Sequence, residues 1–330
     1  MTNSLKFILS IQLKHSGINK TISGFTLIEL LVGMIMAILV ITPLMAFMIN
    51  ILDTDRKEQA KVTSEQEIQA ALDYIARDLQ QAVYIYDDHG VSREADTTID
   101  NSGIKNQIPP LESAPNCSDE NICKPVLVFW KRELIPNSIG ITASSQTSDV
   151  ETDDGFAYSL VAYYLITNTN NDNTTWSKQA RIGRFQLKGP VNAAFANTTG
   201  SVTDTGFNPP PLDKSGATLK NKMNQWQTGL SGGDTYGQRV ETLIDYIKID
   251  EPDNNALPSS APCSSLNLVG SYKSGFFACV DANEVLAQVY IRGNALARVE
   301  NNNLAYSDNK KTYFPSASIR VQGRGFLFTK

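Results

Sequence analysis

The longest uninterrupted apolar stretch of the chain lies near its amino terminus, from Leu30 to Leu52, and contains no charged side chain. At a rise of about 1.5 Å per residue, these roughly 23 residues form a helix of about 35 Å. That length exceeds the hydrocarbon thickness of a bilayer, which is about 30 Å. The pattern predicts a transmembrane helix over residues Phe25 to Leu52.

A second helical pattern follows this stretch. After polar residues at positions 53–58, apolar side chains recur at steps of three and four, at Ile68, Leu72, Ile75, Leu79, Val83 and Tyr86. This spacing lines them up on one face of an amphipathic helix. We predict that residues 53–84 continue the first helix and pack on a sheet. An unbroken helix from Phe25 to Tyr84 would be roughly 90 Å long.

From residue 85 to residue 330, short runs rich in β-branched and aromatic residues alternate with turn-rich stretches. Six runs are predicted to be strands, namely Val126–Trp130, Tyr158–Ile166, Ala180–Leu187, Val240–Ile249, Val285–Ile291 and Ile319–Phe328. Residues 168–175 and 192–224, rich in Asn, Thr, Gly and Pro, are predicted to be loop insertions with little to bury, and residues 87–123 enlarge the head further. The predicted fold class is α+β, with a long amino-terminal α-helix packed on an antiparallel β-sheet head with large loop insertions.

Residues 1–24 have the character of a cytosolic leader peptide. They contain Lys6, Lys14 and Lys20, lack acidic residues, and end in Ser23 and Gly24. Positive charge favours retention in the cytosol. An ordinary signal peptide is cut after its apolar run, whereas here the small residue precedes the run, and no lipobox cysteine is present. Both common secretory patterns therefore fit this terminus badly, and the basic leader is expected to stay on the cytosolic side of the single predicted span.

Glu29 is an acidic residue at the start of this apolar segment. Such a residue costs about 2.5–3.5 kcal/mol at the bilayer centre and less near an interface, so it needs a partner. A cut after Gly24 would create a new amino group on Phe25, one helical turn away. Pairing of Glu29 with the amine of a neighbouring subunit would offset the desolvation and set the stagger between helices. The alternative is a signal anchor in which Glu29 snorkels to the interface.

The segment resembles the prepilin processing motif of type IV pilins and type II secretion pseudopilins, and its residues are Gly24-Phe25-Thr26-Leu27-Ile28-Glu29-Leu30. The resemblance implies a pilin-like fold, cleavage by prepilin peptidase between Gly24 and Phe25, N-methylation of Phe25, and Glu29 as the assembly glutamate. It also implies a head in the periplasm and a place in a pilus or pseudopilus filament.

Pro43 lies inside the predicted span, where it removes a backbone donor and crowds the preceding turn. We expect a kink or local melting there, as in many pilins. Simple tolerance of proline in a membrane helix is the alternative.

A second resemblance covers the spine. The segments Ile41-Thr42-Pro43-Leu44, Thr54-Asp55-Arg56, Glu58-Gln59-Ala60, Glu65 to Leu79 and Tyr84-Ile85-Tyr86-Asp87 are similar to the cyanobacterial hormogonium polysaccharide secretion pseudopilins, in particular their C-type members. This resemblance implies a minor pseudopilin of a type II secretion or type IV pilus-like apparatus, linked to polysaccharide secretion and gliding motility. The implied partners are the inner membrane, prepilin peptidase and other pseudopilins or pilins. A minor pilin priming a motility or adhesion pilus, and a membrane-anchored enzyme, are the alternatives.

The charge and composition of the chain argue against nucleic-acid binding. The 330 residues carry a net charge of −5 and only 19% charged residues, without the basic balance of a phosphate-binding protein. Abundant Asn, Ser, Thr and Asp suit a loop-rich β domain. We expect no nucleic acid among the partners.

Four cysteines form two local pairs, Cys117 with Cys123 and Cys263 with Cys279, each within loop-like sequence. Local disulfides in an oxidising compartment are the favoured interpretation. A metal site is the alternative, although it would want closer cysteines or histidine partners, and only His15 and His89 are present.

An acidic cluster consists of Asp149, Glu151, Asp153 and Asp154, followed by Gly155. Its oxygens could bind calcium, but the spacing of an EF-hand loop is absent and acidic turns are usually solvated. We therefore predict no metal and no cofactor.

Catalytic motifs are also lacking. No G-x-S-x-G elbow is present, and Gly232-Gly233 lacks the lysine of a phosphate loop. After removal of the leader, His89 would be the single histidine. We expect the chain to be a structural subunit and not an enzyme.

Overall fold

The computed structural model of the chain describes residues 24–140, 152–167, 175–191, 203–249 and 262–325. Residues 1–23 of the predicted leader lie outside the described residues, as do Asp149, Glu151 and parts of both predicted insertions, 168–174 and 192–202. The chain divides into two structural units between Asp55 and Arg56.

Helix α1 comprises Leu27–Gln80 and crosses this division without interruption. Its 54 residues include one glycine and one proline, so few helix breakers oppose the regular backbone. The predicted amphipathic stripe is buried over its helical part, because Ile68, Leu72, Ile75 and Leu79 are each at most 2% exposed. These side chains belong to the same core as the strands described below.

The helix ends at Gln80, not at Tyr84 as the spacing of apolar residues predicts. Residues Ala82–Ile85 instead form strand β1, which pairs antiparallel with β2. All four side chains of β1 are buried, which a helix with a single apolar face does not achieve. The β-branched and aromatic run Val83-Tyr84-Ile85 favours the strand.

The first sheet has five antiparallel strands in the order β1-β2-β3-β4-β5. After β1, these strands are β2 (Cys123–Gly140), β3 (Thr152–Thr167), β4 (Ala180–Val191) and β5 (Glu241–Ile247). All four coincide with predicted strands. The predictions were shorter for β2 and β3 because their outer residues are polar.

A second antiparallel sheet has four strands in the order β6-β7-β8-β9, whereas the sequence predicts a single sheet. Its strands are β6 (Asn267–Gly270), β7 (Phe276–Asp281), β8 (Leu286–Arg292) and β9 (Ser316–Gln322). Predicted strands overlap β8 and β9, but the run predicted at Ile319–Phe328 starts three residues after β9 does and wrongly includes residues 323–325, which are not in a strand; residues 326–328 lie outside the described residues. Five consecutive residues of β7 are buried, so the alternation that marks a half-exposed strand is absent from its sequence.

Short helical segments connect the strands. They are α2 (Asp88–Ser92) and α3 (Leu219–Met223), with 3₁₀ turns at Ile99–Asn101, Lys105–Gln107, Ala295–Arg298 and Asp308–Tyr313.

The five-stranded sheet is covered on both faces. Tyr163 and Arg184 contact α1 through Asp78 on one face. On the other face, Trp130 packs against Phe207 and Trp226, with ring centroids 6.0 and 5.8 Å apart. Neighbouring residues of a strand point to opposite faces of the sheet. The same strands therefore contact α1 on one face and the aromatic side chains of Phe207 and Trp226 on the other.

The second layer includes the described part of the insertion at 192–224. Met223 is fully buried, and its carbonyl accepts a 3.0 Å hydrogen bond from the Tyr86 hydroxyl. Phe207 packs on the core as well. The prediction that this stretch has little to bury is therefore wrong for residues 203–224, because a few apolar side chains among many Asn, Pro and Gly suffice to dock it.

The chain after β9 returns to the end of α1. The amide of Arg324 donates to the Gln80 carbonyl at 3.1 Å, and that of Gly325 donates to the Ala82 carbonyl at 3.2 Å. A Cβ on Gly323 would lie 2.4 Å from the Ala82 carbonyl oxygen, so this approach requires glycine.

Candidate functional site

Gly24 and Phe25 precede α1 in a segment without regular structure. Phe25 is 86% exposed, and a Cβ on Gly24 would meet no atom within 4 Å. Among the described residues, nothing covers the peptide bond between them. The described part of the chain therefore leaves the bond predicted to be cut accessible.

Thr26 and Glu29 form a capping box at the start of α1. The Thr26 hydroxyl accepts a 3.3 Å hydrogen bond from the Glu29 amide, and Oε2 of Glu29 accepts bonds from the Thr26 amide at 3.1 Å and hydroxyl at 2.9 Å. This arrangement satisfies backbone donors that a helix start leaves unpaired. The sequence interpretation missed it, although Thr-x-x-Glu before an apolar run is its signature.

The capping box already gives one oxygen of the Glu29 carboxylate its hydrogen-bond donors. Its Oε2 already has partners within the chain, while Oε1 accepts no hydrogen bond from the described residues. The bonds involve Thr26 and not Gly24, so a cut after Gly24 leaves them in place. One carboxylate oxygen is available for a further donor.

The first part of α1 exposes an apolar surface. Every residue from Gly24 to Arg56 is exposed, and the side chains from Leu30 to Leu52 are uncharged. Within the described part of the chain, α1 is the one helix long and apolar enough to cross a membrane. In water, an apolar surface of this size would have to be covered by partner proteins. A lipid bilayer covers it directly.

Pro43 lies inside this surface, and the backbone is helical on both sides of it. Local melting at Pro43 is therefore not found, and the kink stays a prediction. Next to it, the Thr42 hydroxyl donates a 2.8 Å hydrogen bond to the Ile38 carbonyl. The carbonyl that Pro43 leaves without its helical donor is that of Leu39, four residues earlier, so this bond does not replace the missing one.

A buried charged cluster joins the last turn of α1 to the five-stranded sheet. Asp78 Oδ1 lies 3.0 Å from Lys131 Nζ in β2, and Oδ2 lies 2.8 Å from Arg184 Nε in β4. The Tyr163 hydroxyl in β3 donates to the same Oδ2 at 2.7 Å. Each of these side chains is largely removed from water, so the cluster holds its charges by mutual pairing.

The cluster extends along the sheet through Glu133. Its carboxylate lies 3.0 Å from Lys131 Nζ and 3.4 Å from Lys188 Nζ, and it accepts a hydrogen bond from Ser159 at 3.2 Å. Lys131 therefore bridges two carboxylates. Each charged side chain in this network has at least one oppositely charged partner.

The electrostatics of the cluster favour ionised carboxylates. Burial by itself would raise the pKa of Asp78, but the hydrogen bond and charge of Arg184 and the charge of Lys131 hold that pKa below its ordinary value. Burial likewise opposes ionisation of Glu133, and the charge and hydrogen bond of Lys131 lower its pKa. Burial and the neighbouring Asp78 raise the pKa of Tyr163. The tyrosine is thus a permanent hydrogen-bond donor.

A second contact holds the second half of α1, about three turns before Asp78. Arg298 Nε donates to the Ser64 hydroxyl at 2.9 Å, and its guanidinium pairs with Glu67. The same guanidinium lies 4.2 Å from the centre of the Tyr246 ring. Together with the Asp78 cluster, this contact fixes α1 against both the first sheet and the segment after β8.

The cysteines pair as the sequence predicts. Disulfides join Cys117 to Cys123 and Cys263 to Cys279, with Cα atoms 5.6 and 5.4 Å apart. No described cysteine is free.

Of the four acidic residues considered for calcium, the structure describes only Asp153 and Asp154. Asp153 and Asp154 belong to β3, where the Asp153 backbone is opposite Ile139, and Asp154 is exposed. Asp149 and Glu151 lie outside the described residues. Within the described ranges, no group of three potential metal-ligating side chains is found.

His89 lies in α2, with Nδ1 at 3.4 Å from Lys220 Nζ. Lys220 in turn pairs with Asp87, which caps α2 by accepting from the Gly90 amide. These contacts tie α2 to α3 and account for the polar residues around the histidine structurally.

The Asp78 cluster was missed at the level of sequence. One signal was present, because Asp78 lies between Ile75 and Leu79 within a stripe that is otherwise apolar. The partners Lys131 and Arg184 also fall within or beside predicted strands. Their convergence depends on how β2, β3 and β4 are ordered, which the sequence does not specify.

Comparison of the chain with known proteins gives no match to a family model, a curated protein or a solved structure.

Proposed function

We propose that the chain is a pilin-like structural subunit, specifically a minor pseudopilin of a type II secretion or type IV pilus-like apparatus. In this proposal prepilin peptidase cuts between Gly24 and Phe25, and Phe25 is N-methylated. Residues 25–52 anchor the subunit in the inner membrane, and the β-rich head is periplasmic.

One observation carries the proposal. A single helix, Leu27–Gln80, exposes an uncharged apolar surface from Leu30 to Leu52 and buries one face of its second half against antiparallel strands. The prepilin-like segment Gly24 to Glu29 stands directly at its start. A helix that enters a core merely to complete a globular fold has no need of the exposed half.

Two further features support this assignment. The disulfides Cys117–Cys123 and Cys263–Cys279 suit a head outside the reducing cytosol. The Oε1 atom of Glu29 accepts no bond from the described residues, so it can receive the methylated amine of a neighbouring Phe25 while Oε2 keeps the helix capped.

The exported substrate is proposed on the resemblance of the spine alone. That resemblance favours polysaccharide secretion and gliding motility in hormogonia, with other pseudopilins as filament partners. The buried Asp78 cluster gives no indication of a sugar substrate.

Deletion of the gene, with complementation by the full chain, tests the assignment. We expect loss of exported polysaccharide and of gliding, with surface pili intact. Loss of surface pili would instead identify a minor pilin that primes a pilus. Normal export, gliding and piliation in the deletion strain would overturn both assignments.

A further inference from the structure

A pocket of about 350 Å³ lies on the second sheet, on the face that points away from the core. Alternate residues of β8 face the core, so Tyr290 and Arg292 between them lie on the opposite face. Phe277 of β7 is directly opposite Tyr290, and on the other side Ser318 and Ser316 of β9 are opposite Tyr290 and Arg292. A pocket of this size can hold a small molecule.

Side chains of unequal size create this depression. The rings of Phe277 and Tyr290 are stacked, with their centres 4.6 Å apart and their planes 6° apart, so one face of the Tyr290 ring is covered. On the other side of Tyr290, Ser318 is too small to cover the second face, and both serines of β9 are exposed. Tyr272 provides a further aromatic wall. The pocket therefore combines aromatic ring surface with hydroxyl groups.

Arg292 is the single charged residue among the described residues that line the pocket. Its Nη1 atom is buried and has no hydrogen-bond partner in the described part of the chain. Burial lowers the pKa of Arg292, and no described carboxylate opposes this lowering. By contrast, Arg184 and Arg298 each pair with a carboxylate. A buried donor without an acceptor is unfavourable, so a ligand that supplies a carboxylate gains affinity by pairing with it.

The three features of the pocket select among anionic ligands. A guanidinium matches a carboxylate, which it can bind through two parallel hydrogen bonds. The Tyr290 ring offers a flat apolar surface for a ligand ring. The hydroxyls of Ser316 and Ser318 can both donate to and accept from hydroxyl groups of a ligand. A simple anion would use the first feature alone and an aromatic acid the first two, whereas a sugar acid uses all three.

We propose that this pocket binds a uronic-acid unit of an acidic saccharide. Its carboxylate pairs with Arg292, the C–H groups of its ring lie on Tyr290, and its hydroxyls bond to Ser316 and Ser318. The binding chemistry is independent of the proposed function. For the source of the sugar, an exported acidic polysaccharide, the inference rests on that function.

Calorimetric titration of the detergent-solubilised full chain with digalacturonate tests the proposal. Galactobiose of the same linkage is the matched neutral sugar, because it carries hydroxymethyl groups in place of the carboxylates. Benzoate and acetate represent an aromatic acid and a simple anion. Arg292→Gln removes the charge of the pocket, and Arg320→Gln removes an equal charge from the same face of β9, outside the described lining. Ser318→Leu fills the pocket from an exposed position.

We expect saturable binding of digalacturonate, with at least tenfold weaker binding of galactobiose, benzoate and acetate. Affinity for digalacturonate should fall roughly tenfold in Arg292→Gln and stay within about twofold in Arg320→Gln. Arg292→Lys should restore part of the loss, because it keeps the charge but not the planar fork. Ser318→Leu should abolish binding. In saturation-transfer NMR, the ring C–H protons of the sugar should receive the strongest transfer.

No saturable binding of digalacturonate to the native chain would overturn the proposal. Equal affinity for galactobiose, or an equal loss in Arg320→Gln, would also overturn it. Benzoate or acetate binding as tightly as digalacturonate would overturn the assignment of a sugar. Near-UV circular dichroism checks the packing of each variant. If Arg292→Gln loses that packing, Ser318→Leu decides the location, and unchanged binding there would exclude this pocket.

Processing of the chain after Gly24 is measured separately. A chain that is processed there yet binds no digalacturonate would leave the pseudopilin assignment standing and would overturn the sugar site alone.

Discussion

The hydroxyl of Tyr163, in the middle of β3, donates a 2.7 Å hydrogen bond to the carboxylate of Asp78, in the last turn of α1. Lys131 and Arg184 reach the same carboxylate from β2 and β4. One side chain thus connects the helix to three neighbouring strands. This contact and that of Arg298 with Ser64 and Glu67 together define the rotation and axial position of the helix, because the surrounding Ile and Leu contacts are non-directional.

Asp78→Ala is expected to destabilise the head by about 3–5 kcal/mol, because it leaves the buried charges of Lys131 and Arg184 unpaired. Asp73→Ala is the control, since Asp73 is exposed on the same helix and accepts a hydrogen bond from Gln69 at 3.3 Å. It should change stability by no more than about 0.5 kcal/mol. Urea unfolding of the solubilised full chain, followed by tryptophan fluorescence, measures both. Equal midpoints for the two variants would contradict the role given to the cluster.

Acid should destabilise the head through the same residues. Asp78 and Glu133 have native pKa values below the ordinary 3.8 and 4.5, so the unfolded chain takes up their protons first. Their stabilising contribution is present above those ordinary values and is lost as the pH falls below them towards the native pKa values. Unfolding midpoints from about pH 6 to about pH 2.5 should show this fall, and Asp78→Asn should flatten it. An unchanged acid limb in that variant would mean that other carboxylates dominate.

Removal of the two disulfides should have unequal effects. The bonded cysteines are 16 positions apart in Cys263–Cys279 and 6 apart in Cys117–Cys123. Loop-closure entropy then gives about 3 kcal/mol for the longer loop and roughly 2.4 kcal/mol for the shorter one. Paired Cys→Ala variants, compared by urea unfolding under identical conditions, test the order. A larger loss from the Cys117→Ala and Cys123→Ala pair would be inconsistent with this account.

Glu29→Gln separates the two tasks of this side chain. Glutamine at this position can still accept from Thr26 and complete a capping box, but it carries no charge. If Glu29 also pairs with the amine of a neighbouring Phe25, the variant should lose roughly tenfold or more in co-purification with other pseudopilins from detergent extracts. Glu29→Ala should be at least as defective. Normal recovery of partners with Glu29→Gln would restrict the residue to capping.

The local features of the fold follow from sequence patterns. The period of apolar residues predicts α1 through Leu79, and β-branched runs predict six of the nine strands. The same period wrongly extends α1 to Tyr84, because Val83 continues the helical spacing while its neighbours favour a strand. Burial of all four residues of β1 is set by pairing with β2, which is a tertiary property.

The features that escape prediction depend on contacts between distant segments. β7 is buried almost throughout, so it lacks alternation, and β6 has only four residues. The Asp78 cluster joins residues about 50 to 110 positions apart, and the packing of Trp130 on Trp226 spans a comparable distance. The capping box is different, because its signature was readable in Thr26 and Glu29 alone.

The amino terminus of the membrane-extracted protein, determined by mass spectrometry in cells with and without prepilin peptidase, tests the central claim most directly. We predict a chain that begins with N-methylated Phe25 when the peptidase is present and retains its leader when the enzyme is absent. An uncut leader in peptidase-containing cells, or a cut after Leu52, would contradict the pseudopilin assignment.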